Sequence, residues 1–316
     1  METAPGIDDI RAAWARIAAH VHRTPVLRSR TLDARSGAEV LLKCEHLQRT
    51  GAFKARGALN AVLSLPAAEL AGGVATHSSG NHAAALALAA SVRGVTARIV
   101  MPRTVPAVKQ AAVQGYGGEI EFCEPTLAAR EAGLRALVDR TGAAVVHPYD
   151  DWRVIAGQGT AVLELLEEHP GLEAIVTPLG GGGLLSGTAI AAKALRPAIR
   201  VIGVEPAGAD DGARGFRSGI RVTGSRPDTI ADGLRGELGE RGFQVIRALV
   251  DDVFTVTDAA IIDAMRFTWE RTKQLVEPSA ATVIAALLDG RLQGLRVGAI
   301  LSGGNCDLDD LPWRPR

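Results

Sequence analysis

Short apolar runs alternate with longer segments rich in alanine and leucine along most of the chain. The short β-branched runs predict strands at 40–45, 73–78, 97–101, 119–123, 143–148, 173–180, 200–206, 252–256 and 297–303. The longer segments, in which apolar positions recur with the helical period, predict helices at 7–20, 80–93, 105–115, 126–140, 152–168, 184–195, 258–274 and 278–289. This alternation is typical of an α/β protein.

The predicted strands are apolar on both faces, which is typical of parallel sheets covered by helices on both sides. A chain of 316 residues is long enough for two domains. Because no linker or internal repeat separates two halves, we expect the second domain to be an insertion. The predicted boundaries are 1–67 and 148–316 for a large domain and 68–147 for a small inserted domain.

Three predicted strands run directly into turns of glycine and small polar residues. The turns are THSSGNH at 76–82, TPLGGGGLLSG at 177–187 and AILSGGN at 299–305. Ligands of open α/β sheets bind at the carboxyl ends of strands. We therefore expect the three turns to meet at one site.

The charge balance limits the class of ligand. Basic and acidic residues number 35 each, so the formal net charge is zero, and a nucleic acid or an anionic membrane surface is not an expected partner. No apolar run approaches the roughly 20 residues of a membrane-spanning helix. The three cysteines show no metal-ligand spacing. Five histidines also show no ligand spacing and are expected to be structural: His20, His22, His46, His147 and His169. We expect a cytoplasmic protein that binds a small molecule.

Lysine is scarce in this chain, which makes the position of one lysine informative. Five lysines stand against thirty arginines, and one of them, Lys54, lies in RTGAFKARGAL at 49–59. Desolvation by apolar neighbours such as Phe53 would lower the pKa of the amine and make it a nucleophile. In isolation, however, the segment fits a surface lysine better.

The glycine turn at 180–183 predicts a bound phosphate. Successive backbone N–H groups can turn inward there, and the following helix adds the positive end of its dipole. The turn lacks the lysine of nucleotide hydrolases and is not a clean GxGxxG motif. A tight turn without a ligand would need only one glycine.

The turn at 76–82 offers hydroxyls and N–H groups at a helix start, which suit a carboxylate, although an N-cap cluster is an equally ordinary interpretation. A phosphate site, a carboxylate site and a desolvated lysine in one chain favour pyridoxal phosphate (PLP) bound covalently to Lys54.

In order and spacing, these segments resemble the fold type II pyridoxal-phosphate enzymes, in particular the serine/threonine dehydratase and serine racemase family. The resemblance runs nearly end to end through HRTPVLRS, TGAFKARGALNA, THSSGNHAAALA, VIAGQGT, GGGGLLSG, GVEPAGADD, TIADGL, WERTKQLVEPSAA and LSGGNCDL. It implies a tryptophan synthase beta-like α/β fold with the cofactor between two domains. A homodimer is the expected assembly, since two-fold dimers are the commonest oligomers.

The resemblance also implies which residues hold the cofactor. Lys54 would bind PLP covalently, Phe53 would lie against its ring and Asn81 would hydrogen-bond its phenolic oxygen. Glu277 would lie near the ring, and Ser302 would face the pyridine nitrogen. Residues of the glycine turn would bind the phosphate: Gly180, Gly181, Gly182, Gly183 and Leu184.

For the substrate, the resemblance implies a carboxylate-binding loop and two catalytic groups. The loop residues are Ser78, Ser79, Asn81 and His82. Lys54 would act as the general base at Cα, and the Ser79 hydroxyl, on the opposite ring face, could return a proton with inverted chirality. Arg130 matches an arginine that moves toward the substrate on closure, although an exposed helix arginine is equally compatible.

A cation site is implied in GVEPAGADD at 203–211. In the racemase-like branch of the family, a divalent cation (Mg, Mn or Ca) is bound by residues spaced as Glu205, the Ala209 carbonyl and Asp211 are here. The alternative is a solvated acidic loop.

The resemblance implies PLP-dependent α,β-elimination of L-serine or L-threonine to a 2-oxo acid and ammonia. A hydroxyl at Ser302 favours elimination, because it does not hold a proton on the pyridine nitrogen as a carboxylate would. Serine racemase and 3-hydroxyaspartate dehydratase activities are alternatives that use the same site. More distant alternatives are β-replacement and a catalytically silent PLP-binding protein.

Overall fold

Two sheets organise the chain in the computed structural model, which describes residues 3–78, 80–105 and 107–313. The larger sheet contains, in spatial order, β1 (Val26–Arg28), β2 (Glu39–Lys43), β10 (Arg296–Ile300), β7 (Ala174–Pro178), β8 (Arg200–Pro206) and β9 (Asp252–Val256). The smaller sheet contains β5 (Glu119–Cys123), β4 (Ala97–Pro102), β3 (Val74–His77) and β6 (Ala144–Val145). Every neighbouring pair is parallel except β1 and β2, which are antiparallel.

Helices cover both faces of both sheets. They are α1 (Ile7–Ile17), α2 (Arg30–Ser36), α3 (Lys54–Ser64), α4 (Asn81–Arg93), α5 (Ala107–Gly115), α6 (Leu127–Thr141), α7 (Trp152–Glu168), α8 (Gly183–Leu195), α9 (Asp211–Ser218), α10 (Glu240–Leu249), α11 (Asp258–Thr272) and α12 (Pro278–Leu288). Side chains that accept a backbone N–H cap several of them, as Ser29, Thr126, Asp151 and Thr257 do.

Successive side chains of a strand point to opposite faces of the sheet and therefore pack into different hydrophobic cores. On β2, Val40 and Leu42 pack with α11 and α12, whereas Leu41 packs with α7 and α8 on the other face. In the smaller sheet, Ile99 packs with α3 and α4, whereas Val100 packs with α6. The predicted arrangement of parallel sheets covered by helices is confirmed. No helix in the described ranges is long and apolar enough to cross a bilayer.

Each predicted strand and helix corresponds to an observed strand or α-helix, and five strands and α-helices of the described ranges were not predicted. The missed elements are β1, α2, α3, α9 and α10. The most consequential is α3, which begins at Lys54 itself. Its first turns contain Gly57, a residue that disfavours helix, and that glycine is explained by packing: a Cβ there would lie 2.3 Å from the Gln158 side chain.

The strands of the smaller sheet all lie between Val74 and Val145. This range falls inside the inserted domain predicted at 68–147, and the remaining strands belong to the larger sheet. The domain boundaries themselves stay a prediction.

Candidate active site

A cavity of about 610 Å³ opens between the two sheets, where the three glycine-containing turns meet. Ser78 and Gly80 follow β3, Gly180 follows β7, and Ser302 follows β10; all four line the cavity. Parallel strands present their carboxyl ends at one edge, so each sheet contributes loops to the same space.

Lys54 projects into this cavity from the first turn of α3. Its Nζ donates a hydrogen bond to the Pro148 carbonyl at 2.7 Å and lies 5.0 Å from the centroid of the Phe53 ring. Burial lowers the pKa of the Lys54 amine to about 8, against the opposing attraction of the Glu277 carboxylate. The neutral, nucleophilic form of the amine is therefore far more populated near neutral pH than it is for an exposed lysine, which favours a covalent role.

The glycine turn forms a closely packed loop at the start of α8. Gly182 has φ +90°, a conformation that favours glycine, and no side chain caps the helix. A Cβ on Gly181 would lie 2.3 Å from the Tyr149 ring, so a side chain cannot be added without displacing that ring. The first N–H groups of α8 thus face the cavity without a capping side chain, which suits a phosphate.

The turn after β3 provides a second helix start on the same cavity. Gly80 precedes α4, and no side chain caps this helix either. His82 is buried; its Nε2 contacts the Val146 carbonyl at 3.1 Å, and its Nδ1 has no hydrogen-bond partner among the described residues. Burial lowers the pKa of His82 to about 3, so the ring is neutral. Ser78 lines the cavity, whereas Ser79 lies outside the described residues.

Asn81 and Glu277 meet across the cavity. The Asn81 Nδ2 donates to Glu277 Oε1 at 2.9 Å. Burial, reinforced by the charge of Asp232, raises the pKa of the Glu277 carboxyl to about 8. Ser302 is buried beside them and holds the Lys54 turn in place, because its carbonyl accepts the Phe53 N–H at 3.0 Å.

Arg130 reaches the cavity from α6. Its side chain makes no hydrogen bond or ion pair with any residue in the described ranges. Its charge lowers the pKa of nearby His77, in addition to the larger effect of burial. The Arg130 guanidinium can therefore bind a negative group in the cavity, in addition to the phosphate expected at the start of α8.

The model of the family described as "Pyridoxal-phosphate dependent enzyme" matches residues 17–303. The chain belongs to this PLP-dependent enzyme family. It is 48% identical to a serine racemase of Arabidopsis thaliana, over 98% of this chain and 95% of that protein. It is 46% identical to a beta-hydroxyaspartate dehydratase of Paracoccus denitrificans, over 98% of this chain and 99% of that protein. The structure of maize serine racemase superposes with a TM-score of 0.95 at 47% identity, over 97% of this chain and 95% of that one.

The residues of the cavity fit PLP. A covalent attachment point (Lys54), an uncapped glycine-rich helix start and a buried serine at the end of β10 all line one space. The unpartnered Nδ1 of buried His82 is a further polar atom that a ligand or an ordered water can satisfy. PLP dependence is thus consistent with both the family and the cavity.

The predicted cation residues lie outside this cavity, at the end of β8. Glu205 and Asp211 are both buried, and burial together with the Asp211 charge raises the pKa of Glu205 well above its ordinary value. The Glu205 oxygens accept N–H groups of Gly212 at 3.1 Å and Ala213 at 2.7 Å, and no lysine or arginine of the described chain pairs with them.

Asp211 likewise forms no ion pair within the described ranges, although the charge of Arg214 lowers its pKa against the larger effect of burial. Two buried carboxylates of this kind fit a divalent cation. The described ranges contain no group of three or more His, Cys, Asp and Glu side chains that could hold a metal. The predicted set combines two carboxylates with a carbonyl, so it stays a prediction.

The site residues predicted from the sequence do not include three aromatic side chains of the cavity. His77, His147 and Tyr149 line it, and the His147 and Tyr149 ring centroids lie 4.6 Å apart with the rings nearly perpendicular. His147 was expected to be structural. The signal was present, because HPYDD follows β6 as the other turns follow β3, β7 and β10, but it contains no glycine.

Proposed function

We propose that the protein removes water from a 3-hydroxy amino acid by α,β-elimination, giving a 2-oxo acid and ammonia, and that 3-hydroxyaspartate is its preferred substrate. The sequence had favoured L-serine or L-threonine. Two observations shift the preference toward the dicarboxylic substrate. One is the 46% identity to a beta-hydroxyaspartate dehydratase, and the other is the Arg130 guanidinium, which lines the cavity and has no ion-pair partner among the described residues.

The observation that carries an elimination is the environment of Lys54. When bound, PLP withdraws electrons from Cα of the amino acid and makes its proton acidic. The Lys54 amine, with a pKa of about 8, can take that proton as general base. The nearby Phe53 and Tyr149 rings limit water around the amine.

The other residues bind and orient. The uncapped start of α8, from Gly180 to Leu184, supports the role of phosphate site. The uncapped start of α4, with Ser78, Asn81 and His82, supports the role of substrate carboxylate site, and Ser79 completes the proposed loop. Arg130 would then bind the β-carboxylate of 3-hydroxyaspartate, a group that serine and threonine lack.

A substrate panel tests this proposal. Stereoisomers of 3-hydroxyaspartate, serine and threonine are assayed for 2-oxo acid and ammonia with wild-type enzyme and with the Arg130→Gln variant. A charged hydrogen bond contributes about 1.5–3 kcal/mol, so we expect kcat/KM for 3-hydroxyaspartate to fall roughly 10- to 150-fold, and that for serine far less. Equal losses on both substrates would contradict the assignment of Arg130. Lys54→Ala is the inactive control.

Serine racemization is the second candidate function, favoured by the 48% identity to a serine racemase. The proposed Ser79 hydroxyl would return a proton to the face of Cα opposite Lys54. Chiral analysis of serine recovered from an L-serine reaction measures it. We expect D-serine with the wild-type enzyme and none with Ser79→Ala, which should retain elimination.

The proposal includes a divalent cation at Glu205, the Ala209 carbonyl and Asp211, and a homodimer. Removal of the cation by a chelator should lower the melting temperature and leave the absorption of bound PLP in place, because Glu205, Ala209 and Asp211 do not line the cavity. Recovery of the melting temperature on addition of Mg, Mn or Ca identifies the ion. A melting temperature indifferent to chelator and to all three ions would contradict the site.

A further inference from the structure

Asn305, in the turn after β10, joins three parts of the active site by hydrogen bonds. Its side-chain Nδ2 donates to the Thr50 carbonyl at 2.7 Å and to Asn81 Oδ1 at 2.9 Å. Its backbone N–H donates to Glu277 Oε2 at 3.1 Å. One residue therefore contacts the turn before Lys54, the start of α4 and the start of α12.

These contacts fix which way the Asn81 amide faces. A backbone carbonyl can only accept, so the group of Asn305 that faces Thr50 must be its NH₂. The same NH₂ faces Asn81 with its other hydrogen, so the Asn81 atom on that side must be the oxygen. Its NH₂ is then on the opposite side, where it donates to Glu277 Oε1 at 2.9 Å. One N–H of Asn81 remains available to the cavity that Asn81 lines.

The backbone around Thr50 is shaped to make this arrangement. Thr50 has φ +62° and Gly51 has φ +71°, a region that threonine rarely adopts. A Cβ on Gly51 would lie 2.3 Å from Asn305 Oδ1, so only glycine leaves room for the asparagine. The Gly304 N–H donates to the Gly51 carbonyl at 2.9 Å and holds the two turns together.

We propose that Asn305 is a positioning residue that sets the orientation of the Asn81 amide and so directs an N–H donor toward the phenolic oxygen of PLP. The inference rests on the proposed role of Asn81 and adds the residue that makes this role possible. Asn305 acts through Asn81 and does not itself line the cavity.

Two substitutions separate orientation from packing. Asn305→Asp keeps the shape of the side chain but replaces the NH₂ with an acceptor, so Asn81 must turn its own NH₂ toward it and present oxygen to the cavity. Asn305→Ala removes the side chain but leaves Glu277 to hold the Asn81 NH₂. Orientation therefore predicts a larger effect for aspartate, whereas packing predicts a larger effect for alanine, which leaves the larger void.

The readouts are the dissociation constant of PLP, from titration of the apoprotein, and the ratio of the two absorption bands of bound PLP. We expect Asn305→Asp to weaken PLP binding about tenfold or more and to change the band ratio, and Asn305→Ala to have a clearly smaller effect. In an Asn81→Ala background, this difference between the two substitutions should disappear. Gln274→Ala is the matched control: that amide also donates to a backbone carbonyl, of Thr272, and contacts neither Asn81 nor Glu277.

An equal or larger effect of alanine would overturn the inference, as would an aspartate effect that persists without the Asn81 side chain. If Asn305→Asp does not fold, Asn305→Ser takes its place, since a hydroxyl can donate to only one of the two acceptors; wild-type values for that variant also overturn the inference. Failure of the proposed function is separate. If the Asn305 variants show the predicted order of PLP binding but the wild-type enzyme forms no 2-oxo acid from any 3-hydroxy amino acid, only the proposed function is contradicted.

Discussion

At the scale of single residues, Lys54 and Glu277 respond in opposite directions to the same environment. Burial in one cavity lowers the pKa of the amine to about 8 and raises the pKa of the carboxyl to about 8. Each group thereby moves toward its neutral form near neutral pH. A charged lysine would be a poor nucleophile, so the burial of Lys54 serves the chemistry directly.

The raised pKa of Glu277 predicts a pH-dependent stability of the cofactor-free protein. Between the ordinary value of 4.5 and about 8, the folded carboxyl keeps a proton that the unfolded chain releases. The stabilisation is therefore complete below about pH 4.5 and is lost as pH rises toward 8. Glutamine has the same shape and does not titrate, so from pH 5 to 8 we expect Glu277→Gln to gain roughly 2–4 kcal/mol relative to wild type.

Urea unfolding of both apoproteins at pH 5, 6.5 and 8 measures this difference. Glu270→Gln is the control, because that glutamate is exposed and its pKa is lowered by Arg266, so its contribution is constant across the window. Parallel pH profiles for wild type and Glu277→Gln would contradict the prediction.

Sequence reasoning found the residues whose chemistry is visible locally. Lys54 stands out in a lysine-poor chain, and four consecutive glycines have few other uses. The roles of Tyr149 and Asn305 were not predicted, because they depend on contacts with distant residues: Gly181 for the tyrosine, and Thr50 and Asn81 for the asparagine. The spacing of residues along the chain does not predict contacts between residues that are so far apart in the sequence.

At the scale of elements, the glycine turn is shaped by its neighbour as much as by its ligand. The Tyr149 ring packs against Gly181, so we expect Gly181→Ala to displace the ring and the loop together and to weaken PLP binding by at least about tenfold, which corresponds to roughly 1.4 kcal/mol. Titration of the apoprotein with PLP measures it. Gly115→Ala, where a Cβ meets nothing within 4 Å, is the control and should bind as wild type does.

A buried network of four charges holds α3, and with it Lys54. The Arg56 Nη1 lies 2.7 Å from Glu164 Oε1 and its Nε 2.7 Å from Glu45 Oε2, and the Lys43 Nζ donates to the other Glu164 oxygen. The network joins β2, the segment after it, α3 and α7. Two cations balance two anions, and all four side chains are essentially inaccessible to solvent.

Removal of one charge from this network should be costly. We expect Glu164→Gln to lower the free energy of unfolding by about 3–5 kcal/mol, because it leaves buried cations with one carboxylate between them. Chemical unfolding measures it. The exposed Glu167 on the same helix pairs with Arg23 at 3.8 Å, and Glu167→Gln should change stability by less than about 1 kcal/mol. Similar losses for both variants would contradict the prediction that the buried network contributes more to stability than the exposed ion pair does.

At the scale of the whole molecule, the sequence predicted an inserted second domain but not the contacts between the two sheets. Apolar runs with small or polar turns identify strands one by one and do not show which side chains meet across the cavity. The cavity lies where the two sheets meet, and Lys109 of α5 forms an ion pair across it with Asp232, from the segment before α10. We propose that residues 68–147 close over the substrate as a unit and that this pair favours the closed state.

Replacing Lys109 by an uncharged residue removes its ion pair with Asp232 and tests that proposal. Exposed ion pairs contribute only about 0.2–1 kcal/mol, so Lys109→Met should shift the balance between open and closed states by less than about fivefold. We expect KM to rise within that limit, and hydrogen exchange along α5 and α6 to accelerate in the absence of substrate. Arg140→Met is the matched control, because Arg140 pairs with Glu121 within the same predicted domain. Faster exchange in both variants would mean that the Lys109 pair stabilises the inserted domain itself and not its closure.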